Sequence, residues 1–352
     1  MRLLMATYCI DETSAPLGFS VEWVRELARK VEHLYVITQW VGPHTPLPAN
    51  VSIINLQKNV NRSKASRLLG LYFKLNSILR RNKIQGCFVH MHNVMTPILY
   101  PMLALRGIPI ITWYAHANIA KTVPLAHACS YRIMTPSKSS YRYRHDEKVM
   151  FTGHGIDFDK LSPGCASKSK EILSVGRLSP VKGLETLLEA VALLREQNLI
   201  YTCRLVGEAP EEHKAYEHLL KTKTKELGLE GFVFFDGPIS NNKIKEVYRN
   251  AHVHVNCGPS SNALDKAVIE ASACGILSLT SIEGYRDTYQ ELAERLLFAA
   301  GDANSLASAI AALPHQGSEE YRVMAKALRD KMKEKHSLQT LIERLLTSFK
   351  LV

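Results

Sequence analysis

Ile172-Leu173-Ser174-Val175-Gly176-Arg177-Leu178-Ser179-Pro180-Val181-Lys182-Gly183 reads as a short β-strand, a basic turn and the entry to a helix. In such a unit the loop cations and the N–H groups of the helix N-terminus converge on one point, a natural seat for a diphosphate. Arg177 and Lys182 lie five apart across the turn, and Gly183 permits a tight entry to the helix. About ninety residues further on, Asn262 and Glu270 stand eight apart and lead into Ala271-Ser272-Ala273-Cys274-Gly275. A carboxylate arriving from that second unit can accept two hydroxyl hydrogen bonds side by side, which suits a vicinal diol such as ribose.

The same alternation runs through the chain. Candidate strands are 3–8, 34–38, 51–55, 86–90, 108–113, 131–135 and 149–152, then 171–175, 202–206, 233–236, 253–256 and 276–280. Candidate helices are 20–30, 62–80, 184–196, 211–227, 241–249 and 263–273, and the chain ends in a helical pattern over 319–350. This βαβα order predicts an α/β fold with parallel sheets covered on both faces. A length of 352 residues suits two domains. The small, polar run Ser162 to Lys170, with Pro163 and Gly164, is the expected linker, placing the domains at 1–165 and 166–335. In open α/β sheets ligands bind beyond the carboxyl ends of the strands, and two facing domains of this kind would hold substrates in the cleft between them.

At 46% hydrophobic and 22% charged, the composition is that of a globular protein with ample core. The seven cysteines are scattered without a Cys-x-x-Cys pair, so reduced thiols are expected. Met1 to Tyr8 reads as a first strand and not as a signal peptide, which together with the thiols points to the cytoplasm. Val94 to Tyr114 is apolar but contains Pro97, Pro101, Arg106, Gly107 and Pro109, so it reads as a helix to Leu105 and a strand from Ile108.

The net charge of +11 is uneven: residues 1–165 hold 20 Lys and Arg against 9 Asp and Glu, whereas residues 166–352 hold 24 of each. Within the first half, Lys58 to Lys83 has eight basic residues and no acidic one. Leu68, Leu71, Tyr72, Leu75 and Leu79 recur between them at helical spacing, which describes a basic amphipathic helix. Such a helix lies on an anionic membrane, holds an anionic acceptor, or packs on a core with a solvated basic face. Nucleic-acid binding is disfavoured because no recognition motif accompanies the charge. Asp157-Phe158-Asp159 matches a metal-binding Asp-x-Asp pattern, but it leads into the linker rather than ending a strand inside a domain, and no other cluster has metal-ligand spacing.

The C-terminal half resembles the retaining glycosyltransferases of family 4. Four segments carry the resemblance: Val175-Gly176-Arg177 with Lys182-Gly183; Leu205-Val206-Gly207-Glu208-Ala209-Pro210; Val233-Phe234-Phe235-Asp236-Gly237; and the block from Asn262 to Gly275. In the first half it rests on the Gly18 loop, His116 and Gly153-His154-Gly155-Ile156-Asp157. The resemblance implies the GT-B architecture, two facing Rossmann-like doubly wound domains with an interdomain cleft and a C-terminal helix (336–352) returning to the first domain. It also implies transfer of a sugar, with retention and without metal or cofactor, from a nucleotide-diphospho-sugar of the UDP or GDP type.

By that resemblance Arg177 and Lys182 bind and stabilise the departing diphosphate, Glu270 binds the ribose, and His116 contacts the donor sugar at the reaction centre. Gly18, Gly176, Gly207, Glu208, Phe234, Asn262, Asp265 and Lys266 complete the implied donor site. The family has Glu where this chain has Asn262, and often Gly where it has Asp265. Asp265 is expected to restore a carboxylate to the sugar site, with Lys266 moderating its charge. His90 and His92 at a strand end, and Arg62, Lys64 and Arg67 on the basic helix, are the expected acceptor-side contacts, for a sugar or lipid-linked acceptor at the inner membrane face. Asn262 also leaves room for a catalytically weakened nucleotide-sugar binding protein, and the architecture for a nucleotide-sugar epimerase.

Overall fold

The computed structural model describes residues 1–14, 17–56, 63–116, 118–164, 170–240 and 243–351, the side chain of Lys64 excepted. The chain divides into two units, Met1–Gly155 with Leu338–Val352, and Ile156–Ser337.

The first unit runs β1 (Arg2–Ile10), α1 (Ser20–Arg29), β2 (His33–Val41), β3 (Val51–Asn55), α2 (Lys64–Arg81), β4 (Gly86–His90), α3 (Met95–Ala104), β5 (Ile110–Trp113), α4 (Val123–Cys129), β6 (Arg132–Thr135) and β7 (Val149–Phe151). Its seven strands are parallel in the order β3-β2-β1-β4-β5-β6-β7. Strand β1 reads as an almost unbroken apolar run because both of its faces are covered. Leu3 and Met5 point into one layer with Trp23, Val24 and Leu27 of α1, while Leu4 and Ala6 point into the other with Leu71, Leu75, Leu99 and Leu103. The first layer is completed by the last helix of the chain, which contributes Leu341, Ile342, Leu345 and Phe349. Phe349 lies so close to Gly86 that a Cβ there would stand 2.5 Å from its ring.

Helix α2 departs from its sequence pattern. Leu71 and Leu75 are buried as expected, but Leu68 is exposed, and Leu69 and Phe73 face solvent at 59% and 77% exposure. The helix covers the sheet with a stripe narrower than its apolar content, and Leu69, Phe73 and Arg80 share the outward side.

The second unit runs β8 (Glu171–Val175), α5 (Leu184–Glu196), β9 (Thr202–Val206), α6 (Lys214–Glu226), β10 (Val233–Gly237), α7 (Ile244–Asn250), β11 (Val253–Asn256), α8 (Lys266–Ala273), β12 (Leu277–Thr280), α9 (Arg286–Tyr289), α10 (Ala293–Leu296), α11 (Ala303–Ala311) and α12 (Glu319–His336). Its strands are parallel in the order β10-β9-β8-β11-β12. Strand order therefore reverses between β1 and β4 in the first unit and between β8 and β11 in the second, the points where such sheets open a crevice.

Three expectations are revised. The terminal helical pattern is two helices, α12 and α13 (Leu338–Lys350), broken at Ser337, whose extended backbone pairs with Ile156. The expected linker does not mark the division: the Ser162 carbonyl accepts from Arg249 Nε at 3.0 Å and Pro163 packs on Gly275, so this run belongs to the second unit. Residues 165–169 of that run lie outside the described residues. The chain divides instead at Gly155/Ile156. Helices α4, α9, α10 and α11 were not legible, being short pieces of four to nine residues.

Glycines bring the strand ends of the second unit together. Gly176 and Gly207 have φ of 148° and 141°, and a Cβ on Gly207 would stand 1.9 Å from the Gly176 carbonyl oxygen. Gly207→Ala therefore forces the ends of β8 and β9 apart. Backbone strain of this kind costs about 1–3 kcal/mol, and the thermal midpoint should fall by at least roughly 2 °C; an unchanged melting curve would show that the close approach is not required.

Candidate functional site

The diphosphate seat expected from the sequence lies at the carboxyl end of β8, beside the switch point with β11. After Val175 the Gly176 N–H donates to the Val206 carbonyl at 2.9 Å, and Leu178 N–H donates to the Glu208 carbonyl at 3.0 Å, tying this turn to the one after β9. Gly207 N–H in turn donates to the Gly237 carbonyl at 2.8 Å. Pro180 to Lys182 form a single 3-10 turn, and Gly183 closes it in the left-handed region at φ 55°. A side chain on Gly183 would collide with the Cys257 carbonyl, so the turn is pressed against the end of β11.

The amides of this turn are largely engaged inside the protein. Lys182 N–H donates to Ser179, Gly183 N–H to Pro180, and Leu184 N–H, the first of α5, to the Tyr216 hydroxyl at 3.1 Å. That hydroxyl in turn donates to Glu185. The anion-attracting capacity of the site therefore rests on side chains more than on the helix terminus. Arg177 is exposed, and its side chain makes no ion pair or hydrogen bond among the described residues.

Lys182 is already paired. Its Nζ lies against Gly176 and forms an ion pair with Asp265, each side chain being 19% exposed. Asp265 also accepts from Asn256 Nδ2 at 2.7 Å and from the Ala267 N–H at 3.2 Å, capping α8, while the Tyr285 hydroxyl donates to its carbonyl at 2.6 Å. Burial alone would raise the pKa of this carboxyl; the Lys182 ammonium and the hydrogen bonds outweigh it and hold it at about 2. Asp265 is thus the counter-ion of Lys182 and the start of the helix, which explains why α8 begins at Lys266 and not at Ala263. The carboxylate expected for the donor sugar is committed to these internal partners.

One turn further on, Lys266 pairs with Glu270 at 2.7 Å, and the buried Tyr248 hydroxyl donates to the other Glu270 oxygen at 3.3 Å. Asn262 is half-buried, with its N–H donated to the Pro259 carbonyl and its side-chain amide beside Gly258. The structure thus gathers Gly176, Lys182, Gly207, Asp265, Lys266 and Glu270 around the ends of β8, β9 and β11. Glu208 faces solvent in the turn after β9. Phe234 is not brought there: it lies on the edge strand β10, 44% exposed, and pairs with Arg204 in the middle of β9. Asn256, Tyr248 and Tyr285 were missed; the signal for Asn256 was a polar residue closing the strand Val253-His254-Val255.

In the first unit, Gly18 N–H donates to the Ser14 carbonyl just before α1. His116 follows β5, exposed and edge-on to Tyr114. His92 is half-buried and edge-on to Tyr8. His90 was expected to face a ligand but is fully buried between Trp23 and Trp113, and burial drives its pKa down to about 3, so it stays neutral. Arg67 is half-buried, and Arg62 and the Lys64 side chain lie outside the described residues. Asp157 accepts from the N–H groups of Asp159 and Lys160 at 3.0 Å each, so the Asp-x-Asp pattern builds a turn. Among the described residues no group of three His, Cys, Asp or Glu side chains gathers to hold a metal, and no helix is long and apolar enough to cross a membrane.

Comparison with known proteins places this geometry. Over the whole chain the fold matches that of Anabaena HepE, crystallised with UDP, at a TM-score of 0.76 and 15% identity, covering 100% of both chains. It matches sucrose-phosphate synthase from Thermosynechococcus elongatus at a TM-score of 0.75 and 17% identity, covering 99% of this chain and 98% of that one. The α/β fold with two parallel sheets is thus that of the GT-B glycosyltransferases. By sequence, the chain is 26% identical over 204 residues to WcaL of Escherichia coli (strain K12), a putative colanic acid biosynthesis glycosyltransferase, covering 55% of this chain and 49% of that protein. It is 27% identical over 190 residues to D-inositol 3-phosphate glycosyltransferase 2 of Catenulispora acidiphila, covering 48% and 44%. The chain spans about half the length of these curated relatives. The family model of the glycosyl transferases group 1 matches residues 156–331, and the chain belongs to that family.

Proposed function

We propose that the protein is a retaining glycosyltransferase that moves a sugar from a nucleotide-diphospho-sugar to an acceptor hydroxyl, with no metal or cofactor taking part. The observation that carries this reading is the position of Arg177 and Lys182 at the switch point, with Glu270 on the adjoining helix. Ionised donors aimed at a departing diphosphate stabilise the charge that grows as the sugar–phosphate bond breaks. The new bond forms on the same face of the anomeric carbon, and the acceptor proton passes to an oxygen of the leaving phosphate, so no protein nucleophile is needed. Glu270 retains lone pairs for the ribose diol beside Lys266 and Tyr248, Asn262 donates to a sugar hydroxyl, and His116 serves the donor sugar. The UDP in the HepE crystals supports a uridine donor, with a guanosine donor as the other arm of the test.

Arg177→Ala and Lys182→Ala should each lower kcat by about 10²–10³, and chelation with EDTA should leave turnover unchanged. Nucleotide release is measured from UDP- and GDP-sugars with a glycolipid acceptor fraction. Absence of release from a protein that binds these nucleotides would reduce the reading to a binding protein; conversion of the donor sugar without release would make it an epimerase.

The acceptor side of this reading is lipid-linked and peripheral to an anionic membrane. Phe73 and Leu69 stand exposed on α2 beside Arg80, with Lys74 and Arg81 on the same helix and no acidic residue in it. Apolar side chains entering the headgroup region next to cations describe an interfacial helix. Vesicles containing anionic lipid should co-sediment the protein at low salt, neutral vesicles should not, and a Leu69→Ser/Phe73→Ser variant with an unchanged melting curve should stay in the supernatant. Equal recovery with both vesicle types would remove the membrane from the proposal, and self-association lost in the variant would assign the face to a second copy.

A further inference from the structure

The ion pair at the switch point does more than orient a lysine. We propose that Asp265 is an internal competitor for the Lys182 ammonium, a carboxylate that occupies it when no diphosphate is present and so sets how tightly a nucleoside diphosphate is held. The inference rests on the donor-site reading above and extends it to a residue that need not touch the ligand.

The two partners differ in freedom. Asp265 is anchored by the Ala267 N–H, by Asn256 Nδ2 and, through its carbonyl, by the Tyr285 hydroxyl. Lys182 reaches the pair on a flexible four-carbon stem lying along Gly176, so the ammonium is the member able to turn toward a phosphate while the carboxylate stays. Asp265 remains ionised, its pKa held at about 2, so any diphosphate gripped by Lys182 meets a fixed negative charge on the far side of the same ammonium. In this partly buried place like-charge repulsion is screened less than at the surface, and it opposes the gain from holding the lysine still. Asp265 is therefore a positioning residue that orders Lys182 in the empty site and weakens the hold on the diphosphate product.

Asparagine keeps the helix cap and the hydrogen-bond acceptor while removing the charge. Asp265→Asn should bind UDP, or GDP if that is the nucleotide recognised, about tenfold more tightly, roughly 1.4 kcal/mol, with a steeper salt dependence by calorimetry. A merely structural role would produce no gain in affinity. The gain should vanish in the Lys182→Ala/Asp265→Asn double variant. Asp265→Ser, another capping residue, repeats the measurement if the Asn variant melts early. Unchanged or weaker binding in both single variants, or a gain that survives without Lys182, overturns the proposal. Wild-type protein that binds neither nucleotide overturns the donor-site reading instead, and the competitor with it.

Discussion

A lysine from the turn after β8 and an aspartate from the start of α8, 83 residues apart in sequence, meet at the point where the second sheet reverses its strand order. The pair is partly withdrawn from water, and Asn256, the α8 amide and the lysine together supply the partners the carboxylate loses on burial. Removing one partner from a buried pair costs about 3–5 kcal/mol, whereas exposed pairs such as Lys326 with Asp330 contribute less than about 1 kcal/mol. The geometry of the site therefore depends on this contact far more than on the many ion pairs at the surface.

Around it, the parallel sheet supplies position and the glycines supply proximity. Parallel strands all end on the same side, so the turns after β8, β9 and β11 emerge together. Gly183 and Gly207 let them approach to distances that a Cβ would forbid. The close approach consumes backbone donors: the amides of Gly176, Leu178, Lys182, Gly183 and Leu184 are all taken within the protein. A site assembled this way presents ionised side chains at its mouth, with Arg177 the more exposed of its two cations.

Much of this was legible in order along the chain. Strands β4 and β11 fall at the residues their apolar runs marked, because a strand buried on both faces has no polar alternation to blur its ends, and the partly exposed strands β3, β8 and β9 fall at their marked residues as well. Gly107, at φ 64°, separates α3 from β5 as its position in the apolar window implied. The short helices of the second unit escaped because a segment of one or two turns has too few residues to display a period. The outward side of α2 was misjudged for a different reason. Periodicity gives the spacing of apolar residues but not the width of the groove they meet, so Leu68, counted in the apolar stripe, could not be told from core.

The sequence by itself determined the alternation of strand and helix, the basic first half, and the presence of Arg177, Lys182, Asn262 and Glu270 at spacings that family resemblance could interpret. Those properties are local, set by side-chain pattern and turn chemistry within a dozen residues. Only the tertiary structure decided which charges neutralise one another: that Asp265 faces Lys182 and not a sugar, that Lys266 turns to Glu270, that His90 is sealed among tryptophans, and that Phe234 stays on an outer strand. Electrostatic pairing and burial depend on separations of a few ångströms between residues distant in sequence, and those separations exist only once the sheet has been assembled.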